Sequence, residues 1–200
     1  MNLTAVFESW HLGDGNYPPL RRGQQVNLSF EIYPFETARG DANHSDSFTH
    51  LGGGSYEFKG SILRAYDDDP QEVVMIVQSG DFRFYINRPL GLKLGDPVVG
   101  RGTLMFDHYL WVEFLDHYPD PPDLFFQLVV HRIRRVQIPE RFVTRHERGK
   151  SFPASLSPTE YGEKDVTEIE TMEGQSFEEA FCLVDLTQEG VSGSIPRTFV

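Results

Sequence analysis

Residues 56–87 read YEFKGSILRAYDDDPQEVVMIVQSGDFRFYIN, and they decide the fold class. Tyr56, Phe58 and Ile62 alternate with Glu57, Lys59 and Ser61, a period of two with one apolar face. Gly60 stands on the apolar row, where a glycine marks a bend or a close approach of another backbone. Asp67-Asp68-Asp69-Pro70 is a turn signal. Residues 73–77 form an apolar, mostly β-branched run, the pattern of a strand covered on both faces. Ser79-Gly80 then turns the chain into Phe82, Phe84 and Ile86, which alternate with Arg83, Tyr85 and Asn87. Three strands joined by two turns make an antiparallel meander.

The same period extends outward from this stretch. Val26, Leu28, Phe30 and Ile32 alternate with Asn27, Ser29, Glu31 and Tyr33. An earlier strand is expected over 3–11. Residues 98–106 and 109–118 read as a hairpin broken at Asp107-His108, and 124–138 as a last long strand. The chain is therefore expected to be mainly β, with about eight strands in an antiparallel barrel or sandwich. Pro19-Leu20, Gly23 and Val26 are echoed by Pro89-Leu90, Gly95 and Val98. Each is an extended approach, a glycine turn and a strand opening on valine. That grammar is compatible with small Greek-key barrels such as the OB-fold. The chain departs from that pattern in leaving no room for a helix between Asn87 and Gly95.

Two segments read as irregular. Residues 37–54 are polar and end in three glycines, as in a long mobile loop. Residues 149–165 carry Pro153 and Pro158. Beyond them Ser176 and Glu179 suit a capping box, and Phe177, Ala180, Phe181 and Val184 fall at helical spacing. A strand over 181–186 competes, so helix and strand both stay open there. The expected organisation is a β domain over 1–148 and an acidic C-terminal extension over 149–200 that packs on it.

Charge is the most uneven property of the 200 residues. The net charge is −12, which argues against a nucleic-acid or membrane binder acting over its whole surface. Residues 1–130 sum to −9, 131–150 to +5 and 151–200 to −8. The basic stretch holds Arg132, Arg134 and Arg135 on a strand, with Arg132 and Arg134 on one face. Arg141, Arg145 and Arg148 follow on one face of a helix that Pro139 would open and Gly149 would close. Arg132, Arg134, Arg141, Arg145 and Arg148 are the candidate anion- or partner-binding residues. The acidic tail, including Glu160, Glu163, Glu168 and Glu170, is expected to lie across Arg141, Arg145 and Arg148.

Other constellations carry less chemistry. His44, Asp46 and His50 have ligand-type side chains but sit beside a glycine-rich stretch, a poor scaffold for a fixed metal sphere. Asp107-His108-Tyr109 and Asp116-His117-Tyr118 repeat a tripeptide, yet nine residues of strand would separate the copies by roughly 30 Å. The single cysteine, Cys182, lies among Phe181, Leu183 and Val184 and is expected to pack as a small apolar group. No nucleophile elbow or phosphate loop is legible, so no catalytic residue, metal site or cofactor is expected. With no apolar leader, the expected compartment is the cytoplasm. The function expected is a non-enzymatic interaction module, such as an inhibitor or immunity-type partner of a basic protein. The alternatives are an OB-like nucleic-acid binder using the arginines and a metal-dependent enzyme using His44 and His50.

Overall fold

The structure is a computed structural model that describes residues 1–8, 10–13, 15, 17–66, 74–87, 91–107, 115–137, 165–172, 180–191, 193–194 and 196–198. In chain order its strands are β1 (Asn2–Glu8), β2 (Leu20–Arg21), β3 (Gln25–Leu28), β4 (Phe30–Arg39), β5 (Ser47–Gly52), β6 (Ser55–Tyr66), β7 (Val74–Ser79), β8 (Phe82–Asn87), β9 (Pro97–Phe106), β10 (Phe126–Gln137), β11 (Val166–Ile169), β12 (Thr171–Met172) and β13 (Ala180–Thr187). One turn of helix, Trp10–Gly13, follows β1, and a single 3-10 turn spans Leu115–His117. No helix among the described residues is long and apolar enough to cross a membrane. The chain divides into two compact units, Met1–Ser29 with Phe106–Val200, and Phe30–Met105.

The second unit is a closed five-stranded barrel. The expected meander is there, as β6, β7 and β8 pair antiparallel in sequence. β4 closes on β8 in parallel, at Glu31 and Tyr85, and β9 joins β4 back to β6. The meander is thus closed by one strand parallel to its third member and another beside its first, with β5 as an extra strand outside the ring. Alternation fills the interior: Phe30, Phe58, Ile62, Val74, Ile76, Phe82, Phe84 and Ile86 are all buried, as their strand rows require. The rings of Phe58 and Phe84 meet edge to face at 5.1 Å, and Phe82 and Phe84 lie 5.7 Å apart. Gly60 does mark a close approach. A Cβ there would sit 2.2 Å from the Gln78 carbonyl oxygen.

Residues 37–54 are not a continuous loop, contrary to their composition. β4 runs on through Arg39, and β5 pairs with β6 from Ser47–Lys59 to Gly52–Ser55. One side chain explains β5: Phe48 stacks on Tyr56 at 4.5 Å and packs on Phe82 at 4.6 Å. The glycines form the hairpin turn, with Gly52 and Gly53 at φ +114° and +56°.

The first unit is an antiparallel sheet in the order β11-β10-β13-β1, and β3 pairs with the first part of β10. β13 settles the helix-or-strand question: Ala180–Thr187 is a strand. It lies between β1 and β10, and Phe181, Cys182, Leu183 and Val184 are all buried. β13 is thus a central strand of this sheet. Val26 and Leu28 are buried on β3. β10 is not the last strand, and of the expected partner for β9 over 109–118 only the end is described. Residues 108–114 lie outside the described residues, and Leu115–His117 is a 3-10 turn. The Pro-Leu-Gly-Val echo appears once in each unit. Gly23 and Gly95 have φ of +79° and +81°, and their N–H groups donate to the carbonyls of Val130 and Ile62.

Candidate binding site

The outward side chains of the barrel form the site. On β6 the inward residues are Phe58 and Gly60, so Glu57 and Lys59 point out and are exposed. Register sets Glu57 opposite Arg101 and Lys59 opposite Val99 on β9. The Gly40 N–H donates to the Pro97 carbonyl at 2.9 Å, which brings Glu36 and Ala38 of β4 alongside Arg101 and Val99. Arg39 holds that alignment with two hydrogen bonds to Asp96, of 2.9 and 2.7 Å. The Asp96 carboxyl is held below its usual range by the Lys93 N–H and by Arg39, against some desolvation. β4 and β9 approach closely because Gly100 has no side chain; a Cβ there would lie 2.7 Å from the Glu36 carbonyl.

The result is a concavity of about 360 Å³ lined by Glu36, Thr37, Ala38, Glu57, Phe58, Lys59, Val99, Gly100 and Arg101. Its size falls in the range of ligand sites, about 300–1,000 Å³. A row of Glu57, Arg101 and Glu36 crosses three strands, with Lys59 beside it. None of these four charges is in an ion pair among the described residues.

The arginines singled out in the sequence have a different setting. Arg132 and Arg134 share a face of β10, as expected, and both are spent on one carboxylate. Arg132 Nε donates to Asp185 Oδ2 at 2.8 Å, and an Arg134 terminal nitrogen donates to Oδ1 at 2.6 Å. The Thr4 hydroxyl donates to Oδ1 at 2.8 Å. Burial alone would raise the Asp185 pKa, but the Thr4 hydroxyl and the two guanidiniums together hold it below the usual value. Arg141, Arg145 and Arg148, with Glu160 and Glu163, lie outside the described residues, as does the expected 139–149 helix. Glu168 and Glu170 do pair with an arginine, but it is Arg22, at 3.4 and 3.2 Å.

The loop histidines do not converge. His44 Nδ1 donates to the Asp41 carbonyl, with Asp46 3.7 Å from its other nitrogen. His50 Nε2 donates to the Gly53 carbonyl and the ring lies on Tyr56 at 4.9 Å. No group of three metal-ligating side chains occurs among the described residues. Nothing in the comparisons resolves the matter by kinship. No family model, curated protein or solved structure matches the chain.

A buried polar group in the first unit completes the inventory. Ser29 Oγ donates to Asp107 Oδ2 at 2.7 Å, the Asp107 N–H to the Ser29 carbonyl at 3.1 Å, and the Tyr17 hydroxyl to the Asp107 carbonyl at 2.7 Å. Burial, then the Asp107 charge, pushes the Tyr17 pKa well up. Burial also pushes the Cys182 thiol up to about 12, against the opposing pull of Arg135, so it packs as an apolar group. Neither set reaches solvent. The four charges of the barrel face were missed in the sequence because they come from three distant segments. Glu57 and Lys59 read as an outward row, but only cross-strand register joins them to Glu36 and Arg101.

Proposed function

We propose that this chain is a non-enzymatic, intracellular interaction module that engages a protein partner through its barrel. The observation that carries the reading is the concavity over β4, β6 and β9, where two carboxylates and two cations surround an apolar floor without pairing among themselves. Charges left unpaired at a preformed concavity are available to a partner, whereas paired ones must first be separated. A net charge of −12 favours a basic partner, such as a protein held inactive by this one, and would speed their encounter. Nucleic-acid binding draws less support, since Asp185 already takes Arg132 and Arg134.

The test is capture of a partner by the full chain, repeated with Glu36→Lys/Glu57→Lys and with Lys59→Glu/Arg101→Glu. All four positions are exposed, so the variants should keep the native circular dichroism spectrum. A partner retained in stoichiometric amount by the parent and lost by either variant supports the reading. Equal retention by all three would overturn it.

A further inference from the structure

A barrel has no strand edges where its ring is closed, yet this one carries an extra strand outside the ring. β5 pairs with β6 on one side, and among the described residues no strand pairs with its other side. Half the backbone donors and acceptors of such a strand face away from its single partner. Other strand edges here are blunted. The Asn27 N–H of β3 donates to Thr198 Oγ1, and the Thr198 N–H returns to the Asn27 carbonyl. β11 is four residues long and carries Glu168, bound to Arg22. β5 has six residues, SFTHLG, with no proline and no lysine. Thr49, His50 and Leu51 are exposed, Leu51 to 44%.

Contacts also hold the strand in place, and a strand already in place loses less entropy when something pairs with it. Phe48 anchors it inside the barrel. Its first residue is tied down where the Ser79 hydroxyl donates to the Ser47 carbonyl at 2.8 Å, and Asp46 accepts the Gly80 N–H at 3.2 Å. The charges around it are mostly negative. Asp46 precedes it, Glu57 stands opposite Thr49, Asp41 lies in the approach, and Asp81 adjoins Gly80; the cations are Lys59, opposite Ser47, and Arg101, one strand further on beside Glu57.

We infer that the free edge of β5 is a docking site for an extended, basic segment of a partner protein, which adds to β6-β5 as a further strand. Main-chain hydrogen bonds to β5 supply the pairing, and lysine or arginine side chains of the incoming strand meet Asp46 and Glu57. This rests on the reading that the barrel binds protein, and it names the mode and the charge of the partner.

The experiment uses the isotope-labelled full chain and three short synthetic peptides: one alternating lysine and valine, one alternating glutamate and valine, and the lysine peptide with a central proline. The lysine peptide should shift the backbone amides of 47–52 and slow their hydrogen exchange by about tenfold at saturation. The glutamate peptide and the proline peptide should do neither, since one carries the wrong charge and the other cannot complete a ladder. Thr49→Lys, at an exposed position, should weaken the lysine peptide by about fivefold through like-charge opposition. Protection by the glutamate peptide equal to that by the lysine peptide would overturn the inference, as would shifts confined to residues away from β5. If β5 fails in this way while the charge-reversed variants of the concavity still lose their partner, the inference falls and the interaction-module reading stands.

Discussion

His11 is fully buried after the end of β1, with its Nδ1–H given to the Glu8 carbonyl at 2.8 Å. Burial pushes its pKa down from 6.5 to about 4, against the smaller upward effect of that hydrogen bond. The unfolded chain therefore takes up a proton near pH 6.5 that the folded chain refuses until about pH 4. The contribution is fully present above the unfolded value, is lost as pH falls through that window, and is constant below it. Its size is about 3 kcal/mol. His11→Gln should flatten urea-midpoint stability between those two pH values, and an unchanged slope would assign the loss to another group. Asp185 offers a second test. Asp185→Asn keeps the shape but leaves Arg132 and half-buried Arg134 without their shared counter-charge, at a cost of about 2 kcal/mol, reduced from the fully buried case by partial exposure. The same variant should lengthen retention on heparin at low salt; unchanged retention would show that the freed arginines meet no anion.

Whole elements differ in how plainly they announce themselves. β6, β7 and β8 were legible because period-two alternation and short turns need no long-range information. Gly60 was legible too, since a glycine on an inward row has few other reasons to be there. Gly60→Ala should cost about 3 kcal/mol or more, because the obstacle is the Gln78 carbonyl, which cannot swing aside as a side chain would. A urea midpoint near that of the parent would mean that β6 and β7 can part at small cost. Phe84→Ala, in the barrel centre, should cost about 3–5 kcal/mol by the same measure. β5 was hidden because five of its six residues are polar, exposed or glycine, or sit at the hairpin turn; its place depends on Phe48 finding Tyr56 and Phe82, residues remote in sequence. β13 was ambiguous because an apolar run covered on both faces has no period to read. The candidate site was the least legible part, since Glu36, Glu57, Lys59 and Arg101 become neighbours only through pairing.

At the scale of the whole molecule, the acidic end of the chain changes meaning. Cutting it near Ser157 would be nearly neutral if residues beyond were a charged covering. Instead β13 supplies the strand between β1 and β10, so truncation at Ser157 should abolish the cooperative unfolding transition of the first unit. A truncated chain with the parent's near-ultraviolet spectrum and melting temperature would contradict this. The second unit is an insertion within the first: the chain departs after Ser29 and returns at Phe106, and the Ser29–Asp107 hydrogen bonds clasp the two crossings. That clasp has a consequence for synthesis. As the polypeptide leaves the ribosome, the pairing of β1 with β13 must wait some 185 positions, from Asn2 to Thr187 in register. The insertion is complete long before, and once folded it turns a long excursion of chain into a short, stapled one, easing the loop-closure entropy that the waiting strands face. The barrel is thus expected to be the nascent chain's early product, and the sheet of the first unit, built from the segments before and after it in sequence, the late one.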